Sequence, residues 1–575
     1  MRTPTRRAFL RTVPTALAAG LAAPHIVAAE PADPLTKNTL ACAESIAGVT
    51  FTDAELDGMT ANVGVNRAHY EAIRNIAIDD DVEPAFLFKP YSRTPLPSGR
   101  ATPNATLRLD RPRFSKRPSD DDITFLPLTA LAALVQSRLI SSGDLTELYL
   151  ARLKRYGDRL QCVVTLTEEL ARAQAAEADR EIRAGRYRGP LHGIPYGIKD
   201  LFATKNIRTT WGANPYKDRV PTIDAAAVER MRDAGAVLLA KLTTGELAIG
   251  DVWFGGTTKN PWDTSRGSSG SSAGPASATA AGLVGFAVGT ETGGSIIAPA
   301  QTCGVVGLRP TYGRSSRYGC MTLRWTMDKV GAIGRGVEDC AAVLNALYGP
   351  DGRDASVADV AFAWNRDRPL SGLTIGVVER EFDATPGGDS DARARWPEEQ
   401  RVLKDALAAM TRAGARLKPV TLPDMPAASL YAVLNAEAGA AFDDLVRAGH
   451  VGELTGKGPN DRANQLRFSR FIPAVEYLRA QRARTLLGRQ MEDLMATCDV
   501  FLTPSTSSSV TATNLTGHPA VTVNAGFAAG LPVGLMATGR LYDEGTLLAC
   551  ALAYERARGP LDQRPAMLPW CVTAS

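Results

Sequence analysis

The chain has 575 residues, 65 lysines and arginines against 61 aspartates and glutamates, a formal net charge of +4 and 45% hydrophobic content. That length is enough for a large core or several domains, and the near balance of charge leaves no broad electrostatic footprint for nucleic acid. No apolar run reaches the ~18 residues of a membrane-spanning helix, so no stable membrane insertion is expected.

The first element reads as an address and not as part of the fold. MRTPTRRAFLRT pairs Arg6 with Arg7 ahead of Ala8, Phe9 and Leu10; a moderately apolar stretch follows, broken by Pro14, Gly20 and Pro24, and ends in the small residues Val27, Ala28 and Ala29. Residues 1–29 are similar to a twin-arginine export signal with its cleavage site, which predicts a periplasmic or secreted protein. Their removal takes away four arginines and no acid, bringing the formal charge of +4 to zero. Residues 30–120 read as a helical N-terminal extension and a proline-rich extended arm, packed on a main domain of residues 121–575.

From there helices and strands alternate. Asp144 with Glu147 three residues later resembles a capping pair, and Leu145, Leu148, Tyr149, Leu153 and Tyr156 line one helical face. Asp224 to Ala234 reads as a helix leading into a strand at Ala236 to Ala240, with further strands at Leu283 to Val288, Leu373 to Val378 and Val500 to Thr503. Such repetition predicts an α/β fold with a layered sheet. Eight cysteines show no metal-ligand spacing, and Cys303 and Cys550 read as small packed hydrophobes.

The densest chemistry lies between Gly267 and Arg309, GSSGSSAGPASATAAGLVGFAVGTETGGSIIAPAQTCGVVGLR. Two serine clusters are separated by an alanine-rich helical stretch and a short apolar run. Glycines ahead of a serine let successive N–H groups turn toward one point, which suits an oxyanion. A flexible linker is the competing reading, and the apolar flanks Leu283 to Val288 and Val305 to Leu308 argue against it. GSSAG also fits Gly-x-Ser-x-Gly around Ser272, but no clear strand leads into it.

GSSAGPASATAAGLVGFAVGTETGGSI, with GPLHGIPYGIKDLF upstream and NLTGHPAVTVNAGFAAGLPVGLMATG and DEGTLLACALAYE downstream, resembles the amidase signature family. The resemblance runs from about Phe125 to the end and is weak from Val357 to Thr497, where substrate identity is expected to be set. It implies a mixed β-sheet core covered by α-helices on both faces. It also implies a relay of lysine, a serine in a cis peptide, and a nucleophilic serine. Carried over, the lysine is Lys199, the nucleophile Ser295, and the bridging serine Ser271, 24 residues earlier, with Ser268 as the alternative. Thr292, Gly293, Gly294 and Ser295 would supply the oxyanion hole. Lys199 can serve as base only if burial lowers its pKa, and Ile194, Ile198, Leu201 and Phe202 around it favour that. His192, His450 and His518 are the competing bases. Ile297 stands where the family commonly has arginine and Ala273 where it has glycine, the first a change expected at the substrate end.

The implied function is hydrolysis of a linear amide to a carboxylate and ammonia or an amine. Alternatives are a protein like the A subunit of glutamyl-tRNA amidotransferase, an esterase, or a silent binding protein. The partner is a small-molecule amide, with a homodimer left open; side chains alone carry the chemistry, so no cofactor and no metal is expected. Replacing Arg6 and Arg7 by lysine should hold the precursor inside the cell, read as retention of residues 1–29 in fractionated cells; unchanged export would defeat the signal reading.

Overall fold

The computed structural model describes residues 35–77, 100–384 and 390–566. Residues 1–29, read above as an export signal, and part of the proline-rich stretch lie outside them. Eleven strands form one mixed sheet: β1 (Val163–Leu166), β2 (Pro195–Lys199), β3 (Val237–Leu242), β4 (Phe286–Glu291), β5 (Val306–Arg309), β6 (Lys329–Gly334), β7 (Thr374–Val377), β8 (Arg416–Pro419), β9 (Val500–Pro504), β10 (Ala520–Ala528) and β11 (Leu531–Gly539). Their spatial order is β1-β3-β2-β4-β6-β5-β10-β11-β9-β7-β8.

β2 lies parallel to both β3 and β4, with Lys199 opposite Leu242 and Ile198 opposite Val288. β4, β6, β5, β10, β11 and β9 follow in antiparallel pairs, and β9, β7 and β8 finish the far edge in parallel. Strands flanked by helices on both faces have no solvent side, so VLLAKL, FAVGTE and KVGAIG are near-continuous apolar runs without alternation. The charged residues inside those runs, Lys241, Glu291 and Lys329, are all buried.

Two boundaries differ from expectation. The strand placed at Leu283 to Val288 runs instead from Phe286 to Glu291, because the turn ending helix α3 (Ala273–Ala280) occupies Ala281 to Gly285, with Gly282 at φ +65°. The cap of helix Ser142–Leu160 is Ser141 and not Asp144: its hydroxyl accepts from the Asp144 N–H at 2.9 Å and donates to the Asp144 carboxylate at 2.6 Å. The helical face itself is as read, with Leu145, Tyr149, Leu153 and Tyr156 buried.

Before the sheet come two helices, α1 (Lys37–Ala47) and α2 (Asp53–Arg74), each opened by a threonine cap, Thr36 and Thr52. They pack on three helices from the divergent span: α5 (Ala427–Val433), α6 (Arg462–Ser469) and α7 (Ala474–Ala496), while α4 (Ile297–Cys303) lies between β4 and β5 in the chain. Leu40, Leu56, Met59 and Val63 cluster with Phe468 and Phe471, and Tyr70 and Ile73 with Leu430 and Val433. Asn464 Nδ2 donates to the Gly58 carbonyl at 3.1 Å and Arg479 Nη2 to the Ile76 carbonyl at 2.8 Å.

Across β2 and β4 the rings of Tyr196 and Phe286 stack, centroids 5.3 Å apart and 10° between planes, both fully buried. Phe286→Ala should therefore cost about 3–5 kcal/mol of stability, the range for a large aromatic truncated in a core. A denaturant melt checks this, and a change under about 1 kcal/mol would contradict the packing.

Candidate active site

β2 ends on Lys199, whose side chain is wholly buried. Its Nζ donates to Ser271 Oγ at 2.8 Å, to Thr290 Oγ1 at 3.0 Å and to the Thr290 carbonyl at 3.4 Å. Among the described residues no carboxylate forms an ion pair with it. Burial pushes the amine from 10.5 down to about 7, against a weaker upward pull from Asp328 and Glu291. Neutral oxygens accept its N–H groups without restoring the full cost of desolvating a charge. Near neutral pH a substantial fraction is the free amine, able to take a proton.

Ser271 follows a cis peptide from Gly270. Only glycine fits before it, since a Cβ at Gly270 would lie 1.8 Å from the Gly250 carbonyl oxygen. Ser268 turns away, its hydroxyl donating to the Ser269 carbonyl at 2.9 Å. The two serine clusters are tied directly: the Ser272 N–H donates to the Ser295 carbonyl at 3.0 Å, and Ser272 Oγ to the Thr290 carbonyl at 3.0 Å. The Ser271 hydroxyl thus touches Lys199, and its neighbour Ser272 holds the Ser295 carbonyl. Ser271 is buried and Ser295 half-buried.

Ser295 occupies the turn between β4 and α4. Among the described residues the N–H groups of Thr292, Gly293, Gly294 and Ser295 find no acceptor. Gly294 sits at φ +126°, which a side chain would strain. Unpaired N–H groups on a tight turn are the donor set an oxyanion needs.

What holds the turn is not evident from the sequence. Glu291 Oε2 accepts from the N–H groups of Ile296 and Ile297 at 2.7 and 2.9 Å, so the carboxylate takes up the donors just beyond Ser295. Its other oxygen receives Arg309 Nη1 and Asn514 Nδ2, each at 2.8 Å. Burial alone would raise the Glu291 carboxyl, but Arg309 and the Ile297 N–H outweigh it and hold it below its ordinary value. On the other side Thr292 Oγ1 donates to Asp328 Oδ1 at 2.6 Å, while Asp328 Oδ2 accepts the N–H groups of Leu323 and Arg324. The available signal was an acid at the end of FAVGTE and an arginine at the end of VGLR, two charges inside buried runs.

Other expectations resolve differently. Ile297 is fully buried with Ala520 and Met536, and Val510, packed on the same cluster, lies 3.4 Å from a Cβ built on Gly294. A strand does precede GSSAG, Asp263–Gly267, but it belongs to a two-stranded ribbon with Lys259–Asn260. His192 Nδ1 accepts from the Arg188 N–H at 3.0 Å, His518 Nδ1 pairs with Thr516 Oγ1 at 2.8 Å, and His450 meets Glu453. None of these three reaches the serines. A cleft of about 950 Å³ lined by Asp110, Arg335, Glu338, Arg366 and Glu555 contains neither Lys199, Ser271 nor Ser295. A cavity of about 190 Å³ is lined by Thr290, Thr292 and Asp328, beside the Lys199 contacts and the turn that carries Ser295.

Comparison with known proteins agrees with this architecture. The family model described as Amidase matches residues 144–513. The A subunit of glutamyl-tRNA(Gln) amidotransferase from Roseiflexus sp. (strain RS-1) is 36% identical over 467 residues, covering 72% of this chain and 93% of that protein. Its counterpart from Moorella thermoacetica is 34% identical over 493 residues, covering 77% and 99%. Among solved structures, the native peptide amidase of Stenotrophomonas maltophilia superposes with a TM-score of 0.67 at 30% identity, covering 76% of this chain and 98% of its own. A bacterial aryl acylamidase shares the fold with a TM-score of 0.68 at 23% identity, covering 76% and 97%. With its mixed sheet, its paired serine clusters and a match over more than half its length, the chain belongs to the amidase signature family, enzymes that act on the C–N bonds of amides.

Proposed function

We propose that this protein hydrolyses a linear amide through an acyl-enzyme on Ser295. The observation that carries the reading is the 2.8 Å contact of the buried Lys199 amine with Ser271 Oγ, one residue from the Ser272 N–H that holds the Ser295 carbonyl. Ser295 Oγ attacks the amide carbon as its proton passes to Ser271 and that of Ser271 to Lys199. The carbonyl oxygen gathers negative charge against the free N–H groups of residues 292–295. As the C–N bond breaks, the proton returns through Ser271 to the nitrogen, which leaves as ammonia or an amine. Water then attacks the ester by the same relay and releases the carboxylate. Glu291, Arg309 and Asp328 are positioning residues that hold the turn.

A second reading, a component of an amidotransferase, is favoured by the match over 93% of the Roseiflexus protein. Both readings share the amide-cleaving half-reaction and differ in where the nitrogen goes. For the first, the enzyme works alone, with water as acceptor, after export through residues 1–29. For the second, it works beside partner proteins in the cytoplasm. Paired amide and ester substrates separate amidase from esterase. The discriminating experiment is ammonia release by the purified chain from aliphatic, aryl and peptide C-terminal amides, without partner or tRNA. Turnover there supports the hydrolase; no turnover with any amide, with Ser295 still labelled by a fluorophosphonate, favours the amidotransferase component.

Ser295→Ala should abolish labelling and nearly all turnover while leaving the thermal midpoint unchanged. Lys199→Ala should lower acylation by about 10²–10⁴, whereas His192→Ala, His450→Ala and His518→Ala should each be far milder. Activity retained without Lys199 and lost with one histidine would overturn the relay. Because the free amine is the active form and burial brings it to about 7, kcat/KM should rise with pH through that value and fall as Lys199 is protonated below it. An acid limb centred near ~4 would point to a carboxylate base instead.

A further inference from the structure

The cavity of about 190 Å³ beside Thr290 and Thr292 has a wall whose charged residues are spent on protein partners. Arg317 gives its guanidinium to Asp354 at 2.8 and 3.1 Å and to Ser356 Oγ at 2.9 Å, and Arg353 to Glu229 and Asp351. Asp328 is taken by the Thr292 hydroxyl and by the N–H groups of Leu323 and Arg324. Lys329 is 2% exposed and donates to the Met327 carbonyl. A charged guest would leave water and find each of these groups already committed, which is costly.

What the wall offers instead is apolar. Leu201, Met321, Leu323 and Val330 line the cavity and are buried, whereas Trp325, which also lines it, is 48% exposed. The backbone that carries this indole is fixed. The Trp325 carbonyl accepts from the Tyr312 hydroxyl at 2.7 Å and from the Arg317 guanidinium. Before it, Asp328 holds the Leu323 and Arg324 N–H groups; after it, Glu437 holds the Thr326 N–H and hydroxyl at 3.0 and 2.7 Å. A large aromatic side chain with half its surface open, on a backbone that cannot shift, gains by being covered with a second ring.

Size narrows the guest, and position assigns it to one side of the amide bond. A dry cavity of about 150 Å³ takes one benzene ring, so one of about 190 Å³ holds a single six-membered ring and has no room for a fused pair. Thr290, in this wall, is the residue whose hydroxyl meets Lys199 Nζ at 3.0 Å, and Lys199 holds Ser271 Oγ at 2.8 Å. The proton that returns through Ser271 goes to the leaving nitrogen. What that nitrogen carries therefore lies toward Thr290, while the carbonyl oxygen lies toward the N–H groups of residues 292–295.

From this juxtaposition we infer that the cavity receives an aromatic ring borne on the amide nitrogen, that Trp325 determines this specificity, and that the substrate is an N-aryl or N-benzyl amide. The inference rests on the amide-hydrolysing reading of Ser295. The C–N bond breaks as the Ser295 ester forms, the proton from Ser271 goes to the nitrogen, and water then cleaves the ester. The products are a carboxylate and an aromatic amine.

The test uses the purified full chain and two isomers that differ only in where the ring is attached, N-benzylacetamide and N-methyl-2-phenylacetamide. The first should be preferred at least about tenfold in kcat/KM, chiefly through KM, as expected for burying one ring against an indole. N-(1-naphthylmethyl)acetamide should lose that advantage. Trp325→Ala should remove most of the preference, and Trp325→Phe should restore part of it. Aniline, an uncharged product of such a substrate, should also slow labelling of Ser295 by a fluorophosphonate in the unmodified protein, which keeps the site testable if a variant fails to fold. Equal kcat/KM for the two isomers, a preference unchanged by Trp325→Ala, or no protection by aniline overturns the ring site and leaves amide hydrolysis intact. Failure to cleave every amide, substituted on nitrogen or not, overturns the hydrolase reading and this substrate with it.

Discussion

The site depends on keeping one lysine dry. An ammonium at the end of a central strand loses its water shell, and nothing in its immediate contacts replaces the charge: its partners are the Ser271 and Thr290 hydroxyls and a carbonyl. The sheet enforces this, because Lys199 ends a strand flanked on both sides by parallel neighbours whose residues are almost all buried. A carboxylate in direct contact would return the amine toward its ordinary pKa and remove the base. Asp200, the adjacent acid, is kept elsewhere, its Oδ2 accepting from Thr210 and its Oδ1 lying 3.4 Å from the second buried lysine, Lys241. Two neighbouring lysines in one sheet therefore have opposite environments: Lys241 has an acid partner, and Lys199 has none.

The turn that carries Ser295 needs the reverse treatment, a full charge buried on purpose. Four N–H groups left free for an oxyanion make an unstable turn unless the next donors are held firmly. Glu291 does this by capping Ile296 and Ile297, and a carboxylate in so dry a place persists only because Arg309 and Asn514 meet its other oxygen. Arg309 in turn reaches the His518 carbonyl and the Thr513 hydroxyl, joining β5 to the segment that precedes β10. A buried pair of this kind adds little net stability by itself. Its effect is geometric: the donors meant for the protein are used up, and those meant for the substrate are not.

Much of this was legible in the sequence where a residue type has few other uses. Glycine before serine, repeated across an apolar strand, announced the paired clusters, and the apolar frame of Lys199 announced its burial. Boundaries were less legible, because Ala281 to Gly285 look as apolar as the strand they precede and only the positive φ of Gly282 marks the turn. The Glu291–Arg309 pair escapes a reading of the sequence for a different reason: its members meet only through sheet order β4-β6-β5. Ile297 shows the limit of reading neighbours along the chain: two positions beyond Ser295, helix α4 buries that side chain with Ala520 and Met536.

The Lys199–Ser271 contact and the helices of the divergent span come from different parts of the chain, and the N-terminal helices pack on the latter. Lys199 ends β2, Ser271 lies just ahead of α3, and Ser295 lies in the turn after β4. Tyr431 and Arg462 come from α5 and α6, in the span where the family resemblance fades. Those two short helices have limited cohesion of their own, having seven and eight residues. α2 supplies the missing packing: Tyr70 and Ile73 against Leu430 and Val433, Leu56 and Met59 against Phe468. Tyr431 against Gly293 joins these helices to the turn that carries Ser295, and Asp328 holds Thr292 from the loop before β6. The N-terminal extension is thus part of the packing behind the turn, because it holds the helix that carries Tyr431 while the sheet holds Lys199.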